Sequence, residues 1–167
     1  RPFTKEIKAA DMFPSSSQQE CQARLGYLRD NRGIGLLVGE PGSGKTAALR
    51  AFVSSLNPAL YNPIYFPLST VTVRDFYRGL ALSLNIEPAS RRIDVFHQIQ
   101  GTVLSGYQGK KVTPFIVLDE MHLASTDFLS DLHLLFNYAM DSANPFVLVL
   151  CGLPQLGAKL SLVHHQP

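Results

Sequence analysis

The stretch Gly39-Glu40-Pro41-Gly42-Ser43-Gly44-Lys45-Thr46 decides the fold class of this chain. It satisfies the pattern G-x-x-x-x-G-K-[S/T], in which glycines allow the backbone to approach phosphate oxygens closely. Pro41 has no N–H group, so donors to a phosphate are expected from Gly42 onward, into the first turn of a helix. That turn is the positive end of the helix dipole. The pattern predicts a loop that binds a nucleoside triphosphate.

Two side chains of this phosphate loop have specific expected roles. Lys45 supplies a mobile cation for the β and γ phosphates and assists catalysis, and the Thr46 hydroxyl ligates Mg²⁺. The expected cofactors are ATP and Mg²⁺; the motif by itself does not separate adenine from guanine, although no guanine-reading N-K-x-D pattern is present. The expected nucleotide-binding residues are Gly39, Glu40, Pro41, Gly42, Ser43, Gly44, Lys45, Thr46 and Ala47.

Strand and helix patterns alternate on both sides of the loop. Short apolar runs predict strands, and apolar residues at i, i+3, i+4 and i+7 predict helices. Strands that alternate with helices predict βαβ units, a parallel sheet and right-handed crossovers, so the predicted fold class is α/β. The predicted strands are residues 34–38, 64–66, 115–118 and 146–151. The predicted helices are residues 17–30, 49–56, 73–84, 94–107 and 128–139, the first with a capping box at Ser17-Gln18-Gln19-Glu20 and the third capped by Thr70 or Thr72.

Two carboxylates follow the run of residues 115–118, whose continuous apolar character is typical of a strand buried on both faces. In an open α/β sheet, ligands bind at the carboxyl ends of the strands, so both carboxylates are expected to face the phosphate loop. Asp119 is expected to hold Mg²⁺, and Glu120 to orient and deprotonate the attacking water. The pair therefore predicts hydrolysis of the nucleotide by water.

Composition excludes several classes of protein. The 167 residues suit one domain, and 46% hydrophobic with 17% charged residues is a globular balance. A net charge of +2 is too small to indicate a polyanion partner without a local basic patch. No apolar run approaches the roughly 20 residues of a membrane span, so we expect no membrane insertion and a cytoplasmic location. Cys21 and Cys151 are expected to be reduced thiols.

With the phosphate loop and the Asp119-Glu120 pair in place, the chain resembles the AAA+ ATPases. More narrowly it is similar to the ExeA-like group, which includes ATP-binding helper proteins of transposases. The resemblance extends over nearly the whole chain, in short pieces: R-G-I-G-L-L at 32–37, L-D-E at 118–120, L-L-F-N at 134–137 and G-L-P-Q-L at 152–156. It implies a three-layer fold with sheet order 5-1-4-3-2, and nucleotide-dependent oligomers in which a neighbouring copy completes each active site.

The chain departs from this family pattern near its C-terminus. Leu153 stands where the resemblance implies a polar sensor residue, and Gln155 is the nearby candidate to replace it. The last arginine is Arg92, whereas AAA+ arginine fingers follow the fourth strand, so turnover is expected to be slow without oligomerisation. Strand 5 and the helical lid are expected to be absent from this chain. The predicted domains are an N-terminal segment with a helix, residues 1–32, and a C-terminally incomplete AAA+ core, residues 33–167.

Arg74 and Arg78 are the candidate DNA contacts. They lie four residues apart on one helix face, opposite its apolar stripe, and fit the phosphates of double-stranded DNA; a solvated helix face is the alternative. The leading hypothesis is a nucleotide-controlled, DNA-binding ATPase that assists a transposase. The alternatives are an ExeA-type secretion-associated ATPase, a small-molecule kinase and a nucleotide switch with little hydrolysis.

Weaker candidates are Phe3 or Phe13 for adenine stacking, His122 near the γ-phosphate or as a structural histidine, and His164-His165 as an exposed tail.

Overall fold

Four parallel strands lie at the centre of the structure, a computed structural model that describes residues 16–67, 72–109, 112–137 and 144–163. The strands are β1 (Gly33–Val38), β2 (Tyr61–Pro67), β3 (Thr113–Asp119) and β4 (Val147–Gly152). Their order in the sheet is β1-β4-β3-β2, and every neighbouring pair is parallel. These four strands take the relative positions that the order 5-1-4-3-2 assigns to them, so the predicted α/β fold is confirmed.

Helices cover both faces of the sheet and complete the three layers. Because successive side chains of a strand point to opposite faces, Phe115 and Val117 of β3 pack on one side and Ile116 and Leu118 on the other. The first side is covered by α1 (Ser16–Asn31) and α2 (Lys45–Ser55); the second is covered by α3 (Val73–Ser83), α4 (Arg92–Gln108), α5 (Thr126–Phe136) and α6 (Gln155–Val163).

The burial of the strands follows from their position in the sheet. Every residue of β3 and β4 is buried, as the continuous apolar runs predict for inner strands. Pro63 lies inside β2, where its missing N–H is tolerated because β2 is an edge strand of the described sheet. The inner strand β3 therefore holds Asp119 in a buried position at the carboxyl edge of the sheet.

Several local predictions need correction. Ser16 is already helical, so Ser17 lies within α1 and is not its N-cap. Helix α4 buries Val95, Ile99 and Val103, and Phe96 packs against the same core while partly exposed. A short 3-10 helix (Met121–Leu123) and α6 were not predicted, because their runs are too short to show a period. Thr72 caps α3, accepting a hydrogen bond from the N–H of Asp75.

Some predictions fall outside the described residues: the N-terminal segment 1–15, Thr70 and Ala139. The division into residues 1–32 and 33–167 stays a prediction. Within the described ranges, no helix has both the length and the apolar character needed to cross a membrane.

Candidate functional site

The phosphate loop connects β1 to α2 through two glycines with left-handed backbone. Gly42 has φ 75° and Gly44 has φ 84°, a region in which a residue with a Cβ atom is strained. Helix α2 begins directly after Gly44, and no side chain caps its N-terminus. The glycines therefore determine both the turn of the loop and the uncapped start of the helix.

The N–H groups at this helix start are free to bind an anion. Within the loop, the N–H of Ser43 donates to the carbonyl of Glu40, and the first helical bond to close runs from Ala48 to the carbonyl of Gly44. Among the described residues, no acceptor lies within hydrogen-bond distance of the N–H groups of residues 44–47. These four donors lie at the positive end of the helix dipole, which is the arrangement that cradles phosphate groups.

Lys45 folds back over the loop. Its Nζ donates to the carbonyl oxygens of Gly39 and Glu40, each at 2.7 Å, and lies 3.3 Å from Ser43 Oγ. A Cβ at Gly39 would lie 2.9 Å from Ser43 Oγ and 3.4 Å from Lys45 Cδ, so a glycine is needed there for this close approach. The Lys45 ammonium is thus hydrogen-bonded to two neutral carbonyl oxygens of the loop. A bound phosphate can replace these carbonyls as its acceptor.

Asp119, at the end of β3, is the most densely bonded group of the site. Its Oδ2 accepts hydrogen bonds from Thr46 Oγ1 at 3.1 Å and from the hydroxyl of Tyr65 at 2.8 Å, and its Oδ1 accepts one from the N–H of Glu120 at 2.9 Å. Burial acts to raise the pKa of Asp119, but the hydrogen bonds from Tyr65, Cys151, Glu120 and Thr46 outweigh it and lower the pKa below 3.8. The carboxylate is therefore ionised at neutral pH.

The donor set fits Mg²⁺. The Thr46 hydroxyl and the Asp119 carboxylate offer oxygen atoms that lie side by side, and oxygen is the ligand type that hard cations prefer. Across the described residues, no group of three or more His, Cys, Asp or Glu side chains gathers to hold a metal. Mg²⁺ in nucleotide sites typically takes only one or two protein oxygens and completes its shell with phosphates and water.

Glu120 follows Asp119 in a strained backbone conformation. Its φ of 60° and ψ of 30° lie in the left-handed region, which is uncommon for a residue with a Cβ atom. Its side chain is half exposed, and its Oε2 lies 3.4 Å from His122 Nε2. The left-handed turn directs the Glu120 carboxylate away from the sheet and leaves it accessible to water.

Two residues of the site were not identified from the sequence. Tyr65 reaches Asp119 from β2, and the Cys151 thiol reaches it from the end of β4. Both stand at the carboxyl ends of strands that flank β3, which is the only signal that would have selected them. Cys21 and Cys151 are both free cysteines, and Cys151 is buried.

The other candidate residues lie outside this cluster. Arg74 and Arg78 are exposed on α3, and neither makes a side-chain hydrogen bond or ion pair with a described residue. Leu153 donates its N–H to His122 Nδ1, and Gln155 is exposed at the start of α6. Whether Gln155 acts as a sensor stays a prediction. Phe3, Phe13, His164 and His165 lie outside the described residues.

The raised pKa values of one cysteine thiol and two tyrosine hydroxyls predict a loss of stability at alkaline pH. Burial raises the pKa of Cys151 above its usual 9.0 and that of Tyr65 above 10.0, with the neighbouring Asp119 adding to both, and burial raises the pKa of Tyr77 to about 12. The unfolded chain releases these protons at the usual pKa values, whereas the native chain retains them. The unfolded state therefore binds fewer protons as the pH rises, and the free energy of unfolding decreases.

The contribution of these groups is complete below about pH 9 and falls as the pH rises towards their native pKa values. Urea unfolding at about pH 7.5, 9 and 10.5 measures it. Cys151→Ala should lose the part of the decline that begins near pH 9, and Tyr77→Phe part of the decline that begins near pH 10. A free energy of unfolding that stays constant over this range would contradict the prediction.

Comparison with known proteins agrees with this geometry. Residues 28–160 match the family described as AAA domain. The match covers most of the chain, so the chain belongs to this family of AAA+ P-loop ATPases.

Similar proteins match this chain over part of their own length. General secretion pathway protein A of Aeromonas hydrophila is 28% identical over 159 residues, which are 93% of this chain and 28% of that protein. Cdc6p from Pyrobaculum aerophilum superposes with a TM-score of 0.67 at 20% identity, covering 99% of this chain and 46% of its own. The Aeropyrum pernix ORC1 protein in complex with DNA gives a TM-score of 0.64 at 21% identity, with 93% and 43% covered. The chain thus spans less than half the length of each of these three proteins.

Proposed function

We propose that this chain binds ATP together with Mg²⁺ and hydrolyses it. The observation that carries the proposal is the hydrogen bond between Thr46 of the phosphate loop and Asp119 of β3, which are 73 positions apart in sequence. This contact brings the expected cation ligands together beside four free N–H groups and the Lys45 ammonium. When bound, Mg²⁺ would neutralise charge on the phosphates. Glu120, next to Asp119, would take a proton from the attacking water.

Phosphate release from MgATP tests this proposal. The full chain is incubated with ATP and Mg²⁺, with EDTA as a control, and inorganic phosphate is measured. We expect saturable, Mg²⁺-dependent release that is slow, since this chain carries no arginine beyond Arg92 to act as a finger. Binding of ATP without release would identify a nucleotide switch instead.

Self-association is part of the proposal, because a neighbouring copy would complete the active site. The family resemblance supports it, since AAA+ active sites are completed by a neighbouring copy; any arginine that this chain supplied in this way would be Arg92 or one before it. Light scattering with and without ATP measures the assembly. An increase in mass with ATP, together with turnover per chain that rises with protein concentration, is the expected result.

We further propose that the chain binds double-stranded DNA under nucleotide control, as a helper of a transposase. Arg74 and Arg78 support this, because both are exposed on one face of α3 without partners among the described side chains. The similar ORC1 protein was solved in complex with DNA. Two cations one helical turn apart can contact adjacent phosphates of a duplex.

Loss of both arginines is expected to weaken duplex binding by about 10-fold at low salt. Arg74→Gln with Arg78→Gln removes two phosphate contacts, so the slope of log K against log salt should fall by about 2. Fluorescence anisotropy of a labelled duplex, with and without a non-hydrolysable ATP analogue, measures both quantities. Arg24→Gln with Arg29→Gln on α1 is the matched control. Equal and negligible binding by all proteins would reject the DNA proposal and leave the ATPase proposal intact.

The secretion-associated ATPase is the second candidate. The relative from Aeromonas hydrophila is named for the general secretion pathway, and its match covers 93% of this chain. The sequence of the complete gene separates the two: an apolar run of about 20 residues would favour the secretion role. A neighbouring transposase gene would favour the transposition role.

Tyr65→Phe is expected to weaken Mg²⁺ binding in the presence of ATP. The hydroxyl of Tyr65 orients the Asp119 carboxylate from 2.8 Å, and outer-shell partners of this kind are typically worth about 10-fold in metal affinity. Titration of Mg²⁺ at saturating ATP measures the shift of the midpoint. Tyr61→Phe, in the same strand, is the control, and an unchanged midpoint for Tyr65→Phe would contradict the role.

A further inference from the structure

His122 lies between the end of β4 and the carboxylate of Glu120. Its Nδ1 accepts a hydrogen bond from the N–H of Leu153 at 3.4 Å, and its Nε2 lies 3.4 Å from Glu120 Oε2. The His122 side chain is only 15% exposed, whereas that of Glu120 is 48% exposed. The imidazole thus contacts both the main chain just after β4 and the half-exposed carboxylate of Glu120.

The bond to Leu153 selects the tautomer of the ring. A ring nitrogen that accepts an N–H carries no proton, so the proton of the neutral imidazole resides on Nε2. That nitrogen lies within ion-pair distance of Glu120 Oε2. Leu153 occupies the position where the family resemblance implies a polar sensor side chain, and its main-chain N–H donates to His122.

Two other elements hold His122 in place. Lys159 of α6 donates from Nζ to the carbonyl of His122 at 3.2 Å and also to the carbonyl of Ala124. Gly152 packs so closely that a Cβ there would lie 3.2 Å from the N atom of His122 and 3.4 Å from its Nδ1. Lys159 therefore anchors the main chain of His122, and the ring packs close to Gly152.

The Glu120 carboxylate has no other side-chain partner in the part of the chain that the structure describes. Among the described residues, His122 is the only side chain that lies within ion-pair or hydrogen-bond distance of the Glu120 carboxylate. A general base must be held within a narrow geometry to be efficient, and a misplacement of about 1 Å can cost on the order of 100-fold in rate.

We propose that His122 is a positioning residue for Glu120. The imidazole Nε2–H orients Oε2 of the carboxylate, which leaves Oε1 to accept the proton of the attacking water. This inference rests on the proposed hydrolysis of ATP. The competing role is a purely structural one, in which His122 only braces the turn at Leu153.

Two substitutions separate these roles, because each keeps only one of the two hydrogen-bonding functions of the imidazole. The amide oxygen of His122→Asn can take the place of Nδ1 and accept from Leu153, but the side chain ends short of Glu120. The amide nitrogen of His122→Gln can take the place of Nε2 and donate to Glu120. We expect kcat for ATP to fall by about 10- to 100-fold in His122→Asn and to stay within about 3-fold in His122→Gln, with KM unchanged in both.

The opposite order, with His122→Asn active and His122→Gln impaired, would overturn the proposal and assign His122 a purely structural role. His97→Asn on the exposed side of α4 is the matched control and should be neutral. In the Glu120→Gln background, His122→Asn should cause no further loss of kcat, because residues that act as a unit are not additive. A full additional loss would also overturn it.

A spectroscopic measurement decides the inference even if hydrolysis is absent. If the wild-type chain binds ATP but releases no phosphate, the proposed hydrolysis fails. Long-range ¹H–¹⁵N spectra then report on His122 directly. The expected result is the Nε2-protonated tautomer, with an Nε2 signal that shifts in Glu120→Gln while the His97 signals do not. The other tautomer, or an unshifted Nε2 signal, would overturn the contact.

Discussion

Glu120→Gln is expected to lower the turnover of ATP by about 100-fold or more while leaving the affinity for MgATP within about twofold. A positioned general base typically contributes 10²- to 10⁴-fold, and an amide cannot take the proton of the attacking water. The substitution is isosteric, and the N–H of residue 120 continues to donate to Asp119 Oδ1, so the cation ligands keep their geometry. Single-turnover phosphate release gives the rate, and titration with a fluorescent ATP analogue gives the affinity.

The control is Glu87→Gln, an exposed carboxylate remote from the phosphate loop in sequence and structure. It should change neither quantity. Turnover that persists in Glu120→Gln would remove Glu120 from the role of base. Equal losses of affinity and rate would instead assign Glu120 to binding.

Lys45→Ala should reduce the affinity for MgATP by about 100-fold. Lys45 Nζ lies over the loop that carries the free N–H groups, and charge-assisted hydrogen bonds are typically worth about 1.5–3 kcal/mol, or roughly 10- to 150-fold in affinity. The substitution also leaves the carbonyls of Gly39 and Glu40 without the donor that now lies 2.7 Å from each. Equilibrium titration measures the affinity.

Arg24→Ala serves as the control for the loss of one positive charge, because Arg24 is exposed on α1 and pairs only locally with Glu20. Thermal unfolding should show that Lys45→Ala remains folded, since the lysine is the first residue of α2 and is not buried. An affinity for MgATP that stays within about threefold of the wild-type value would contradict the role of Lys45.

Much of the fold was predictable from local patterns. The four strands and five of the six helices follow from apolar runs and helical periods. Each of them buries apolar side chains whose spacing can be recognised in the sequence. The 3-10 helix and α6 were missed. Helix α6 is only nine residues long, with Leu156, Leu160 and Val163 at helical spacing, and Leu156 is completely buried against the core. Short elements of this kind depend on tertiary packing more than on propensity.

The site was predictable only in part. The loop glycines, Lys45, Thr46 and the acidic pair are recognisable by motif, and their functional roles stay predictions. The parallel sheet explains why Thr46 and Asp119 meet: both follow strands whose carboxyl ends share one edge. Tyr65, Cys151 and the contact of His122 with Glu120 were not predictable, because a single tyrosine, cysteine or histidine has no spacing that distinguishes it.

The phosphate loop separates what local sequence determines from what tertiary packing determines. Its sequence alone determined the left-handed turns at Gly42 and Gly44 and the uncapped helix start, because these depend only on local backbone sterics and the absence of side chains. The tertiary structure decided which groups meet the loop. Strand β4 lies between β1 and β3, so the Cys151 thiol lies beside Asp119, and the neighbouring β2 brings the Tyr65 hydroxyl to the same carboxylate. Such contacts join residues far apart in sequence, and only the packing of the strands brings them within hydrogen-bond distance.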